Sequence, residues 1–285
     1  MKDFKPIDSN YILKDKLDEI SKFTVRDNDI FLLGYPKSGT TWAQEMIWLV
    51  ANDLNYKGAK VFVDERFPVL EMFMYRSSGR RSQLECYVDS MKFIENLKDG
   101  RCIKSHLKSD YLPEQLLKRD CNAKIIYIAR NPKDVAVSSY MFHKELLQTV
   151  EYSFEEYCEL FMTDLYVAFG QYWQNVLYFW NKRNETNILF IKYEDMKRDL
   201  LEVIRKIAKF LNKCHTEEEE IELMNWLSFE KMKENEYVNH NDFYGKPGFI
   251  RCGNVGDHKS KMSADLLSKF DEWIKKNVQN TNYDV

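Results

Sequence analysis

Short runs of β-branched and aromatic residues alternate along this chain with longer segments whose apolar residues recur at helical spacing, and no repeat of fixed length is present. The runs Ile30–Leu33, 101–105, Lys124–Ala129 and 187–192 read as strands, each followed by polar or turn-forming residues. Residues 42–54 and 134–147 read as helices. The second is entered through Asn131-Pro132, a pair suited to a helix start because proline needs no N–H partner there. A third, amphipathic helix is marked by Leu200, Leu201, Val203, Ile204, Ile207, Ala208, Phe210 and Leu211. Thr216 followed by Glu217, Glu218, Glu219 and Glu220 reads as an N-cap with carboxylates on the positive helix end, not as an acidic interaction patch. Strands alternating with helices predict an α/β fold, a mainly parallel central sheet with helices on both faces.

At 285 residues the chain has room for one large domain, taken here as 1–285, with a sizeable core. Gly and Pro total 10 and 6 against 44% hydrophobic and 14% aromatic residues, which excludes linker-like or disordered organisation. Lys plus Arg at 42 nearly balances Asp plus Glu at 45, so no global field favours nucleic acid or an anionic membrane, and any anion site must be local. The N-terminus lacks an apolar signal core and the longest apolar run, 46–51, is too short to span a bilayer, so a soluble, cytoplasmic protein is expected. Cys86, Cys102, Cys121, Cys158, Cys214 and Cys252 are scattered without metal-ligand spacing, which predicts reduced thiols and no metal site.

The most informative stretch runs from Ile30 to Trp42: an apolar strand, the turn Gly34-Tyr35-Pro36-Lys37-Ser38-Gly39, then a helix start. Such a turn aims backbone N–H groups and the positive helix end at one point, where an anion can sit. Gly34 and Gly39 have the spacing of a nucleotide-triphosphate P-loop. That loop carries Lys directly after its second Gly, where this chain has Thr40, so the stretch reads as a P-loop-like phosphate site and not as an ATPase.

The string Tyr35-Pro36-Lys37-Ser38-Gly39-Thr40-Thr41-Trp42 resembles the 5′-phosphosulfate loop of the cytosolic sulfotransferases. The segment from Ile126 through Arg130-Asn131-Pro132 to Ser138 resembles the same family's 3′-phosphate strand and helix. Tyr193-Glu194-Asp195-Met196, Lys104-Ser105-His106 and Ser228-Phe229-Glu230-Lys231-Met232-Lys233 are further matches, and Arg251 with Gly253, Gly256 and Asp257 resembles the C-terminal R-K-G-x-x-G-D. The resemblance spans about residues 30 to 260 and implies transfer of a sulfuryl group from 3′-phosphoadenosine 5′-phosphosulfate to a small acceptor, without a metal.

Carried onto this sequence, the resemblance implies that Lys37, Ser38, Gly39, Thr40 and Thr41 hold the 5′-phosphosulfate. Arg130, Ser138 and Arg251 would grip the 3′-phosphate, with Cys252 and Gly253 in the same turn. Trp42 and Phe229 would face the adenine, with Tyr193 and Ser228 beside it. Lys37 and Lys104 would stabilise charge during transfer, and His106, an imidazole that ordinarily titrates near working pH, would take the acceptor's proton. Val69, Met72, Phe142 and His240 would join Lys104 and His106 around the acceptor; His143 falls near the same segments, and Tyr166, Phe169 and Phe243 are looser candidates, since an aromatic at helical spacing is more often core than ligand contact.

This chain departs from the family pattern at Cys252 for Lys, which removes a positive charge near the 3′-phosphate, at His258 for Trp and at Ser260 for Asn. The stretch between His240 and Arg251 is shorter than usual, implying a more open lid. Segment 259–268 lacks the Thr-Val pair and final acidic residue of the family's dimer motif, implying a monomer or a dimer through another surface. Two readings from other classes remain. A catalytically silent nucleotide-binding protein is favoured by the altered C-terminal motif and opposed by Lys37, Lys104 and His106; a P-loop small-molecule kinase is opposed by Thr40 and by the lack of an evident magnesium-binding design.

Overall fold

The computed structural model describes residues 11–75, 83–118, 120–147, 151–163, 169–240 and 249–285. Its sheet has four parallel strands, β1 (Ile30–Leu33), β2 (Cys102–Ser105), β3 (Lys124–Ala129) and β4 (Ile188–Lys192), in the order β2-β1-β3-β4. Each strand is only four to six residues long; β1, β2 and β3 are buried on both faces and the edge strand β4 is half-buried, so alternate residues feed two cores. Phe31, Leu33, Ile103, Ile125 and Tyr127 pack with the helices Pro132–Met141 and Tyr172–Asn181, whereas Leu32, Cys102, Ile126, Ile128 and Ile191 pack with Thr40–Ala51 and Leu200–Leu211. This gives the helix–sheet–helix layering that the alternation predicts.

The register aligns the carboxyl ends: Leu33 pairs with Ser105 on one side and Tyr127 on the other, and Ala129 pairs with Lys192. Because β2 and β3 flank β1 on opposite sides, the chain reverses its direction of travel across the sheet there, and the crevice beyond those strand ends is where open α/β sheets place ligands.

Element boundaries move by a few residues from the sequence expectation, each for a local reason. The strands expected at 101–105 and 187–192 begin one residue later, at Cys102 and Ile188. The helix expected at 42–54 begins at Thr40 and stops at Ala51, because Asp53 (φ 50°) and Leu54 (φ 56°) turn left-handed. The one expected at 134–147 starts at Pro132, with the Asn131 side chain accepting from Lys133 N–H at 3.0 Å, and widens into a π-helix at Phe142–Leu147. Thr216 and Glu219 form a reciprocal capping box (2.8 and 3.3 Å), so the glutamate run is a helix start. The expected lid, at 241–248, lies outside the described residues, as do Tyr166 and Phe243.

Candidate active site

The turn after β1 is shaped by close approach. A Cβ on Gly34 would lie 2.6 Å from the Ile128 carbonyl oxygen, and Gly39, at φ 93°, meets the Tyr193 ring. Lys37 adopts φ 71°, so two left-handed residues bend the chain into the helix that starts at Thr40. Ser38 N–H bonds the Tyr35 carbonyl at 3.2 Å, but Ser38 Oγ is fully buried and has no hydrogen-bond partner among the described residues. Thr40 and Thr41 are buried on the helix's first turn, where unpaired N–H groups and the macrodipole favour an anion.

Arg130 stands at the end of β3 and ties this turn to the C-terminal one. It donates to the Lys37 carbonyl (3.3 Å) and the Asn254 carbonyl (2.9 Å), its guanidinium lies 4.4 Å from the Tyr193 ring centre, and its buried Nε has no partner among the described residues. Tyr193 donates to the Gly253 carbonyl at 2.9 Å. Gly253 (φ 62°) has no room for a Cβ, which would stand 2.8 Å from the Phe229 ring. Trp42 anchors its Nε1 on the Leu227 carbonyl at 2.9 Å, with its ring 5.8 Å from that of Tyr193. Arg251 pairs with Asp257 at 2.5 Å, and Cys252 Sγ lies 3.8 Å from the same carboxylate. The replaced tryptophan position is structurally absorbed: His258 Nδ1 bonds the buried Asp134 at 2.6 Å, and that carboxylate also accepts the Gly256 (2.7 Å) and His258 (3.1 Å) N–H groups.

Lys37, Lys104 and His106 gather beyond the ends of β1 and β2. Lys37 Nζ lies between the Phe142 and Phe249 rings, 4.0 and 3.6 Å from their centres; burial, and after it the charges of Lys104, Arg130 and Arg251, pushes its pKa far below the usual lysine value. Lys104 Nζ donates to Gln44 Oε1 at 3.0 Å, and burial brings its pKa down to about 8 against the pull of Asp64 and Glu71. His106 Nδ1 bonds the Gly34 carbonyl at 2.6 Å, which makes Nδ1 the protonated nitrogen and leaves Nε2 as the proton acceptor. The ring does not titrate near neutrality as the sequence suggests. Burial, followed by the neighbouring Lys104 charge, lowers it to about 3, so it is neutral throughout the working range.

A cavity of about 590 Å³ is lined by every sequence-designated residue except Ser38, which is buried within the turn itself, and Ser228, which precedes the Phe229–Glu234 helix as its N-cap. Val69, Met72, Phe142 and His240 thus share one space with Lys104, His106 and the residues of the turns around Gly39 and Gly253. Asp64, Tyr87, His143, Phe169 and Phe249 also line it. Phe169 packs edge-on to the His106 ring at 6.1 Å, a wall and not only core. Asp64 accepts the Tyr87 hydroxyl and sits 3.6 Å from His240 Nδ1; no motif in the sequence marked it, because its place depends on how a short helix, Val63–Arg66, packs over the pocket. Gln44 was detectable in principle, one turn after Thr40 on the same helix, but its partner Lys104 is 60 positions away. Among the described residues no cluster of His, Cys, Asp and Glu could hold a metal ion.

The sulfotransferase domain model matches residues 27–282. Luciferin sulfotransferase of Photinus pyralis is 39% identical over 282 residues, covering 93% of this chain and 76% of that protein. Sulfotransferase 1B1 of Canis lupus familiaris is 35% identical over 283 residues, 95% of this chain and 90% of that one. Among solved structures, retinol dehydratase in complex with androsterone and the inactive cofactor PAP superposes with a TM-score of 0.86 at 30% identity, over 95% of this chain and 87% of that one.

Proposed function

Because this chain belongs to the sulfotransferase domain family and is a sulfotransferase, we propose that it moves the sulfuryl group of 3′-phosphoadenosine 5′-phosphosulfate onto a hydroxyl, or an amine, of a small apolar or phenolic acceptor, with His106 as general base. One observation carries the reading. One cavity joins the turn after β1 and Arg130 at the end of β3, which carry two buried polar atoms without a partner among the described residues, Ser38 Oγ and Arg130 Nε, to the lysine and histidine at the end of β2. A buried donor left unpaired costs about 1–3 kcal/mol, so this part of the protein fits a ligand with several acceptor oxygens. PAP bound in retinol dehydratase supports the nucleotide, and androsterone in the same crystal supports an apolar acceptor class.

On this reading Ser38 with the N–H groups of Gly39, Thr40 and Thr41 holds the 5′ end. Arg130, Ser138, Arg251 and the turn at Cys252 and Gly253 take the 3′-phosphate, and Trp42, Tyr193, Ser228 and Phe229 take the base. When bound, the donor supplies the sulfuryl group. His106 Nε2 takes the acceptor's proton as the oxygen attacks, and the Gly34 carbonyl keeps the ring in the tautomer that can do so. A neutral imidazole is ready for this role, and anionic oxygens held nearby raise its basicity from the low value of the ligand-free site. Lys104 faces charge that spreads over the transferred group, and Lys37 joins it once the donor's anionic oxygens offset the burial that disfavours its charged form in the ligand-free site. Val69, Met72, Phe142 and Phe169 surround the acceptor with apolar surface, and Asp64, Tyr87 and His240 supply its polar contacts.

The same proposal takes residues 1–285 as one domain acting in the cytoplasm without a metal, as a monomer or as a dimer through a surface other than 259–268. Among the described residues no helix is long and apolar enough to cross a membrane. Titration calorimetry tests the donor half: adenosine 3′,5′-bisphosphate should bind at least about tenfold tighter than AMP, because charge-assisted bonds to the extra phosphate are worth roughly 1.5–3 kcal/mol each. Equal affinities would overturn the assignment of Arg130, Ser138 and Arg251. Turnover over a panel of phenols and alcohols tests the acceptor half.

A further inference from the structure

The segment before the Met72–Tyr75 turn runs beside β2 and grips its catalytic end. Lys104 N–H donates to the Pro68 carbonyl at 2.9 Å, the Lys104 carbonyl accepts Leu70 N–H at 2.8 Å, and Val69 pairs with Lys104 as an isolated parallel bridge. A regular parallel ladder would continue from His106 N–H to the Leu70 carbonyl. It does not. The Leu70 carbonyl accepts the Ser90 hydroxyl at 2.7 Å, and His106 N–H donates to the side chain of Glu71 at 2.6 Å.

Glu71 is fully buried, and its second oxygen, Oε2, has no hydrogen-bond partner among the described residues. A buried carboxylate is a costly way to satisfy one N–H when a main-chain carbonyl stands next to it. Burial pushes the Glu71 carboxyl up to about 7 against the His106 N–H, the Ser105 hydroxyl and Lys104, all of which favour the charged form. The groups that face Lys104 are Gln44, Asp64 and Glu71 on the attractive side and Lys37 on the other, with the neutral His106 ring beside them.

We propose that Glu71 is a positioning residue of the transfer reaction: it clamps the His106 main chain from which the imidazole enters the cavity, and with Asp64 it supplies the negative charge facing the Lys104 ammonium. This rests on the roles given above to His106 and Lys104. The imidazole is then held at two points, its ring by Gly34 just after β1 and its main chain by Glu71 in the segment bridged to β2.

Two substitutions separate the clamp from the charge. Glu71→Gln keeps an oxygen for His106 N–H and removes the charge; Glu71→Leu removes both. Both should bind adenosine 3′,5′-bisphosphate by calorimetry within about threefold of the parent, which also reports folding. Glu71→Gln should lower kcat about two- to fivefold at neutral pH and move the alkaline limb of kcat/KM to lower pH, whereas Glu71→Leu should lower kcat at least about tenfold. Parent-like kcat with an unmoved limb overturns the proposal, and so does a loss of turnover matched by an equal loss of bisphosphate binding. Should Glu71→Leu not fold, the limb of Glu71→Gln decides alone. His106→Ala, measured alongside, separates the two layers: if it abolishes turnover while the Glu71 variants keep theirs, only this inference falls, and if it keeps parent-like turnover, both readings fall.

Discussion

A histidine held neutral and a lysine held near its titration point give the site its pH behaviour. His106 stays unprotonated down to about pH 3 in the ligand-free protein, so it imposes no acid limb near neutrality. Lys104 has its pKa lowered to about 8, so the charge it offers is present below that pH and is lost as pH rises through it. Since kcat/KM reports the free enzyme, kcat/KM for the donor should fall above about pH 8, with the limb removed in Lys104→Met at a lower plateau. A profile still rising at pH 9 would take Lys104 out of the charge-stabilising role. His106→Ala should cost roughly a hundredfold or more in kcat with bisphosphate affinity nearly intact, because a base acts in the transition state and not in donor binding. An alcohol of high pKa is the right substrate for that measurement, since an acidic phenol ionises unaided.

At the scale of elements the site is a meeting of turns, one after β1 and one at 251–257, stitched by Arg130, while the Asp134 carboxylate fastens the second turn to the Pro132–Met141 helix. Gly253 and Gly256 keep their left-handed conformations (φ 62° and 82°), and His258 replaces the family's tryptophan with a hydrogen bond to Asp134. Cys252 stands at the cavity wall beside Arg251, so Cys252→Lys should tighten adenosine 3′,5′-bisphosphate binding by about two- to tenfold, roughly 0.5–1.5 kcal/mol. The gain should shrink in high salt and vanish for AMP. Calorimetry at low salt that finds no gain, or an equal gain for AMP, would mean that residue 252 does not face the phosphate. Asp257 sets the size of the effect, since it is already engaged by Arg251 and would draw a new lysine toward itself.

Across the whole molecule, two cores share one sheet, and strand residues alternate between them, so the halves should unfold together. Calorimetry should give one transition, raised by about 5 °C at a bisphosphate concentration 100 times Kd, since the added stability there is about 2.7 kcal/mol. Light scattering should find a monomer, or a dimer that survives substitution at Ser263 and Ala264; Ser263 here serves as the N-cap of the Ala264–Val278 helix. Local sequence alone specifies the four strands, four of the helices and the turn from Gly34 to Gly39, because strand and helix periods, the Asn131-Pro132 entry and the glycine spacing are chemistry contained within a dozen residues. It also marks Lys104, His106 and Arg130 through motifs that stand at strand ends. The pairings over long separations arise only on packing: Gln44 with Lys104, Asp134 with His258, Asp64 with His240, and Glu71 with the His106 main chain. The tertiary structure likewise decides that His106 is neutral, because a pKa follows from burial and neighbouring charge, and neither exists until distant segments have packed around the ring.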